Sequence, residues 1–277
     1  MPKIKIVTDS TAYIDKSFIE KYNIDVVPLA VNFEGSVEDE GFPGDFSTFY
    51  YRLSESLDFP TTSQPSVGRF TKTFENALEN GHEVIVITMS SKLSGTFNSA
   101  STAAKIVDPD ETKISVIDSL TTVANLKFLI SKAAFLAEEG ASMKKIVEVI
   151  ETQKKHMGVR LTVSTLEYLK RGGRLSTTEA MIGSLLNIKP IIGLIDGKLE
   201  ALSKVHGKKK AMEKMLESVP TNVSHISVCH IETLEEAKKY EKSIRERFPK
   251  AGTEICEVGP VIGSHLGLET IGICYVY

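Results

Sequence analysis

"HEVIVITMSSKLSGTFNSA", residues 82–100, joins an apolar β-branched run to a Ser/Gly turn and then to a segment with a helical pattern over 94–107. A short β-branched run bounded by turn residues reads as a strand, here handing over to a helix. The same hand-over recurs at "IKIVT" (4–8), followed by a helical pattern at 15–22, and at "ISVI" (114–117), followed by a long apolar-periodic stretch from 121. Strands that alternate with helices in this way predict a parallel sheet with helices on its faces. Between the first two strands lie "VVPLAVNF" (26–33), the acidic loop "EGSVEDEGFPGD" (34–45), a helical stretch near 46–56 and the polar "DFPTTSQPS" (58–66). With two prolines, the last of these reads as an ordered loop or interlobe crossing, not as a strand or helix interior.

The alternation changes after about residue 157. "GVRLTVS" (158–164), "IKPIIGLID" (188–196), "KLEALSKV" (198–205), "HISVCHI" (225–231), "TEICEV" (253–258) and "TIGICYVY" (270–277) are strand-like, with helical patterns near 176–186, 207–218 and 233–247. Asp196-Gly197 between two strand-like runs predicts a tight hairpin. A second lobe with an antiparallel or mixed sheet is expected.

The chain has 277 residues, long enough for two modest lobes and a ligand cavity, and a formal net charge of −3. That balance shows no basic field for nucleic acid and no acidic tail for a basic partner. Cys229, Cys256 and Cys274 are too scattered for a metal site and too few for a disulfide framework, so they read as core residues in a reducing compartment. No apolar stretch reaches the roughly 20 residues of a membrane helix, and "MPKIKIVTDS" lacks the apolar core of a signal peptide. A cytoplasmic protein without stable membrane insertion is expected.

In a parallel sheet, ligands bind beyond the carboxyl ends of the strands. Those ends carry "TDST" (8–11), "TMSSKLSGT" (88–96) and "DSLTT" (118–122), all rich in hydroxyls. Each is compatible with plain helix capping, but three together point to an anion site, where hydroxyls and free backbone N–H groups meet a carboxylate or phosphate. Ser94 does not fit the nucleophile elbow of α/β-hydrolases, because Lys92-Leu93-Ser94-Gly95-Thr96 lacks both glycines of G-x-S-x-G. Gly95 reads as room for a ligand to approach the backbone. Neither phosphate-loop pattern follows a strand. "RGGR" (171–174) offers Arg171 and Arg174 as a grip for an anion, and "SKVHGKKKA" (203–211) is either a solvated face or a docking patch.

Taken in order, "KIVTDSTAYI" (5–14), "TTSQPSVGRF" (61–70), "SSKLSGTFNSA" (90–100), "VIDS" (116–119), "LEYLKRGGRLS" (166–176), "IKPII" (188–192), "DGKLEALSKV" (196–205) and "IGSHLGLETIG" (262–272) resemble the DegV family across essentially the whole chain. That family includes the fatty-acid-binding subunits of the bacterial fatty acid kinase. The resemblance implies an α/β protein with a Rossmann-like lobe over 1–157 and an α+β lobe over 158–277, one long-chain fatty acid lying in a tunnel between them. It implies carboxylate donors at Thr62 and Ser94, with Gly95 beside them and His265 close by. It further implies no cofactor and a separate ATP-dependent kinase that phosphorylates the bound acid. Tunnel-lining residues are expected in "MIGSLLNIKPIIGL" (181–194), namely Met181, Ile182, Leu185, Leu186, Ile191 and Ile192. Arg171, Arg174, His206, Lys208, Lys209 and Lys210 are the residues expected to dock the kinase; the family frequently has arginine where this chain has His206. Two competing readings remain: a serine esterase or acyltransferase using Ser94 and His265, and a lipid-binding sensor without a kinase.

Overall fold

The computed structural model describes residues 3–174 and 188–277. Its first sheet is built from β1 (Lys3–Asp9), β2 (Asp25–Val27), β6 (His82–Thr88) and β7 (Ile114–Asp118), in the order β2-β1-β6-β7 and parallel throughout. Successive side chains of a strand point to opposite faces, and the run "VIVI" shows the result. Val84 and Val86 pack with Phe70 and Phe74 of α3 (Val67–Glu79) and with Ala100 and Ala103 of α4 (Thr96–Val107). Ile85 and Ile87 face the other way, onto Leu126, Leu129 and Ile130 of α5 (Val123–Glu138) and Ile146 and Ile150 of α6 (Met143–Gln153). Both faces are therefore covered, as a parallel sheet requires. The expected helices at 15–22 and near 46–56 are α1 (Lys16–Tyr22) and α2 (Ser47–Glu55).

"DFPTTSQPS" departs from expectation. Thr61–Ser63 forms β5, which pairs antiparallel with β3 (Ala30–Phe33), itself paired with β4 (Ser36–Asp39), in a three-stranded sheet of order β4-β3-β5. The β-branched threonines favour extended backbone, and the edge position leaves flanking Pro60 and Pro65 without a ladder bond to break. The effect is to fix Thr62 opposite Val31 instead of leaving it on a free loop.

The second sheet is mixed. It comprises β8 (Met157–Thr162), β9 (Ile188–Ile195), β10 (Lys198–His206), β11 (His225–His230), β12 (Gly252–Glu257) and β13 (Ile271–Val276), in the order β10-β9-β8-β13-β11-β12. All pairs are antiparallel except β11 with β12. The Asp196-Gly197 hairpin forms as expected, with φ of 46° and 81° at its two central residues. One face of this sheet packs on α8 (Lys208–Glu217) and α9 (Leu234–Arg247) through residues such as Ile226, Val228 and Ile273. The opposite face, with Val159, Leu161, Ile192, Cys229 and Cys274, belongs to the same core as α5 and the first sheet. Helix α5 touches β1 and β6 on one side and β8, β11 and β13 on the other, so one continuous apolar core joins the two sheets. All three cysteines are unpaired and buried in the second sheet. Two shorter helices complete the site, α7 (Glu167–Gly172) and α10 (Pro260–Leu266), the latter with proline in its first turn and Gly267 at its end. The helical pattern near 176–186 lies outside the described residues.

Candidate functional site

A cavity of about 330 Å³ opens between the two sheets. This lies in the usual range for small-molecule sites. Its walls are mostly apolar: Leu29 before β3, Met89 after β6, Val123 at the start of α5, Leu161 on β8, Leu194 on β9 and Cys274 on β13 are representative. Gly272 on β13 borders the cavity, and a Cβ there would come within 2.8 Å of the Leu161 Cβ.

Besides Thr122, Arg160 and Thr270, the polar lining is gathered from four elements. Thr62 on β5 shares a hydrogen bond of 2.8 Å between its Oγ1 and Nε2 of His265 on α10. Gly172, at the end of α7, lies against the His265 ring, where a side chain would collide with Nδ1. Arg174 donates through Nη1 to the Gly172 carbonyl and through Nε to the Leu93 carbonyl at 3.3 Å, next to Ser94. Gln64, two residues beyond Thr62, places its amide across Gly95 and donates to Ser99 Oγ at 3.3 Å. Thr62, His265, Arg174, Ser94 and Gln64, a polar ring linked only in part by these contacts, all border the cavity.

Ser94 sits in the turn that leads from β6 into α4. Its Oγ pairs with Thr96 Oγ1 at 2.9 Å and accepts the Thr96 N–H at 3.3 Å. His265 bonds to Thr62 and not to Ser94, so the serine and histidine do not form a nucleophile–base pair in this arrangement. Burial, with the Arg174 guanidinium nearby, pulls the His265 imidazolium down to about 4, so the ring is neutral near pH 7. Its Nδ1 is buried and has no hydrogen-bond partner among the described residues.

Two of the three hydroxyl-rich strand ends mainly brace the fold, although Thr122 of the end after β7 also borders the cavity. At the end of β1, Thr8 Oγ1 donates to the Ile87 carbonyl at 2.9 Å, Thr11 Oγ1 to Asp9 at 2.7 Å and Ser10 Oγ to Glu40 at 2.6 Å. After β7, Asp118 Oδ1 accepts the Ser91 and Leu120 N–H groups at 3.0 and 3.1 Å. The carboxylate of Asp9 accepts the Met89 N–H at 2.7 Å, fixing the start of the loop that carries Ser94. Local capping and bracing therefore account for most of those hydroxyls, while the β6 end brings Ser94 and the β7 end Thr122 to the cavity wall.

Other expected site residues fall in different places. Gly95 is not among the residues bordering the cavity, and the Gln64 amide lies where its side chain would stand. Ile191 packs against α8 on the far face of the second sheet, and Ile192 lies in the shared core without bordering the cavity; Leu194, on the same face as Ile192, does border it. Met181, Ile182, Leu185 and Leu186 lie outside the described residues. Arg171 is engaged with Glu167 at 2.6 Å and stacks 3.9 Å from the Phe59 ring centroid, whereas Arg174 belongs to the cavity ring. Lys208 pairs at the surface with Glu236 and Glu269 at 3.3 Å each, while His206, Lys209 and Lys210 are exposed. Gln64 was not among the expected site residues; the signal was its place two residues after Thr62, which sends both side chains to one face of the extended segment. Among the described residues there is no cluster of three or more His, Cys, Asp or Glu able to hold a metal, and no helix is long and apolar enough to cross a membrane.

Comparison with known proteins places this geometry in context. A family model described as "Uncharacterised protein, DegV family" matches residues 3–277. A DegV domain-containing protein of Halalkalibacterium halodurans is 38% identical over 281 residues, covering 99% of each chain. The crystal structure of DegV, a fatty acid binding protein from Bacillus subtilis, covers 100% of both chains with 34% identity and a TM-score of 0.89. The Streptococcus pneumoniae Fatty Acid Kinase (Fak) B3 protein, solved loaded with linoleic acid, shares the fold, with a TM-score of 0.84 at 23% identity over 99% of each chain.

Proposed function

The chain belongs to the DegV family, and on that premise we propose that it binds one long-chain fatty acid between its two lobes, divided near residues 157 and 158. In this reading it is a cytoplasmic carrier that presents the carboxylate to a separate ATP-dependent kinase for acyl-phosphate formation. The observation that carries the reading is the apolar cavity with a ring of hydrogen-bonding groups in its wall. An acyl chain gains about 0.8 kcal/mol for each methylene it buries, while an ionised carboxylate needs donors wherever it leaves water. The ring of Thr62, Ser94, Gln64 and Arg174 offers those donors. The kinase step rests on the family resemblance.

The chemistry assigned to each residue follows from the geometry. His265 is neutral, so one ring nitrogen carries a proton and the other a lone pair. With the proton on Nε2, the ring donates to Thr62 Oγ1, and the Thr62 hydroxyl proton turns to the carboxylate. Nδ1 then retains only an unpartnered lone pair, instead of a buried N–H without an acceptor. Ser94 rotates its hydroxyl from Thr96 to the second carboxylate oxygen, and Thr96 keeps its place through the helix. Arg174 adds positive charge at the opening. A serine hydrolase would need His265 to take a proton from Ser94, which the Thr62–His265 bond opposes.

Denaturing extraction of the purified protein, followed by lipid mass spectrometry, is expected to release free fatty acid. Adding a fatty acid kinase subunit and ATP is then expected to yield acyl phosphate. Absence of both bound lipid and uptake of added oleate defeats the carrier reading. Binding without acyl phosphate leaves a lipid sensor. Labelling of Ser94 by a fluorophosphonate supports the serine enzyme instead.

A further inference from the structure

Helix α10 carries His265, yet no side chain of its own caps its first turn, because Gly259 stands at the N-cap position. The cap comes from Glu40, 221 residues away along the chain, whose Oε1 accepts the Val261 N–H at 2.7 Å. The same Oε1 accepts the Tyr13 hydroxyl at 3.2 Å, and that hydroxyl oxygen accepts the Ile262 N–H at 3.4 Å. The other oxygen, Oε2, faces Ser10 Oγ at 2.6 Å; Ser10 in turn accepts the N–H of Leu29, a cavity residue, at 3.1 Å. Tyr50 completes the clamp by donating to the Val258 carbonyl at 2.6 Å. Gly259 permits this close docking, since a Cβ there would stand 2.8 Å from Glu40 Oε1 and 2.8 Å from Phe46. Glu40 is 5% exposed.

We infer that Glu40 is a positioning residue for carboxylate binding: by holding Val261 N it fixes the start of α10, and through the helix it sets His265 against Thr62. The inference deepens the proposed fatty-acid reading and rests on it for the ligand. Four cavity residues, Val261, Ile262, His265 and Leu266, ride on this helix, so parting α10 from Glu40 opens the cavity wall.

The clamp also has a pH dependence with a definite sign. The titratable groups around Glu40 are Asp9 at the end of β1, Tyr13, and Tyr50 on α2. Glu257 and Glu232 act on Tyr50, and Glu38, Asp39, Asp45 and Arg52 border the small cavity beside Glu40. Burial, reinforced by Asp9 and opposed by the hydrogen bonds from Ser10, Val261 and Tyr13, pushes the Glu40 carboxyl up to about 7. Every contact to α10 is made through Oε1, so a proton on Oε2 removes the buried charge and leaves the clamp intact. The closed arrangement holds that proton more tightly than an open one in which Glu40 meets water at its ordinary 4.5. Low pH therefore favours closure, and opening becomes easier as pH rises through 7. With those two values the open population rises about tenfold between pH 6 and pH 8.

The test follows the His265 ring by NMR in the ligand-free protein and, separately, the dissociation rate of cis-parinaric acid, each from pH 5.5 to 8.5. In the wild type the His265 ring resonances, assigned with His265→Gln, are expected to shift with a midpoint near 7, although the ring itself titrates far below. Dissociation is expected to accelerate about tenfold from pH 6 to pH 8. In Glu40→Gln, which cannot ionise, both responses are expected to vanish. A ring that is silent near pH 7 in the wild type, or dissociation profiles that coincide in the two proteins, overturns the inference; coincident profiles would assign the pH response to the ligand's own carboxyl. If the ring responds as expected but no fatty acid binds, the ligand reading falls and the Glu40 clamp stands.

Discussion

Replacing Thr62 by valine removes a single hydroxyl from the proposed carboxylate site while keeping the β-branched shape that suits β5. Thr62 is only partly buried and sits at a sheet edge opposite Val31, so the strand itself has little reason to suffer. Two hydrogen bonds are at stake: the 2.8 Å contact to His265 Nε2 and the one proposed to the ligand. A hydrogen bond to a charged group contributes about 1.5 to 3 kcal/mol, so oleate should bind roughly tenfold to 150-fold more weakly to Thr62→Val. The assay is displacement of cis-parinaric acid by oleate at pH 7.4, with methyl oleate as the uncharged control. The penalty should shrink severalfold for the ester, because the lost bond is no longer charge-assisted. His265 is left without its partner in the free protein, which costs about 1 kcal/mol of stability and is read separately from thermal melts. Oleate affinity within twofold of the wild type, at unchanged fold, would remove Thr62 from the site and with it the assigned His265 tautomer.

Ser94→Ala is expected to weaken oleate binding by a similar 1.5 to 3 kcal/mol, measured by the same displacement; binding equal to wild type would confine Ser94 to capping α4. Gly95→Ala should displace the Gln64 amide and lose its bond to Ser99, about 1 kcal/mol by chemical denaturation, and the loss should disappear in a Gln64→Ala background. Glu254 is half-buried, and although burial opposes its ionisation, His225, Lys127 and Ser227 together hold its carboxyl down at about 2. Its folded value lies below its ordinary 4.5, so its contribution is present above pH 4.5 and fades as pH falls towards 2. After discounting for solvent screening, Glu254→Gln should cost about 1 to 2 kcal/mol at pH 7, with the difference from wild type closing at acid pH; a pH-independent difference would contradict this account.

Where side chains obey a local period, the chain could be read directly. The "VIVI" run divides its valines and isoleucines between the two helix layers, and the Asp196-Gly197 turn adopts the backbone that those two residues favour. The family resemblance implied Thr62, Ser94 and His265 as site residues, and all three border one cavity. Less legible was what those motifs do. "TDST" and "DSLTT" look the same in sequence whether they cap, brace or bind, because a hydroxyl's partner is set by its three-dimensional neighbours. The strand at Thr61–Ser63 was hidden by its prolines, whose ordinary meaning is a loop unless an edge position makes the missing N–H harmless.

Residue order alone determined the alternating α/β pattern, the change to a mixed sheet after about residue 157 and the hydroxyl-bearing motifs, because these depend on periodicity and on the conformational limits of single residues. Tertiary structure decided which groups meet. It set His265 on Thr62 instead of Ser94, filled the space beside Gly95 with Gln64, brought Arg174 to the cavity and clamped the start of α10 with Glu40. Each of these contacts joins residues well separated along the chain, and those of Thr62 with His265 and of Glu40 with Val261 run from its first half to its second.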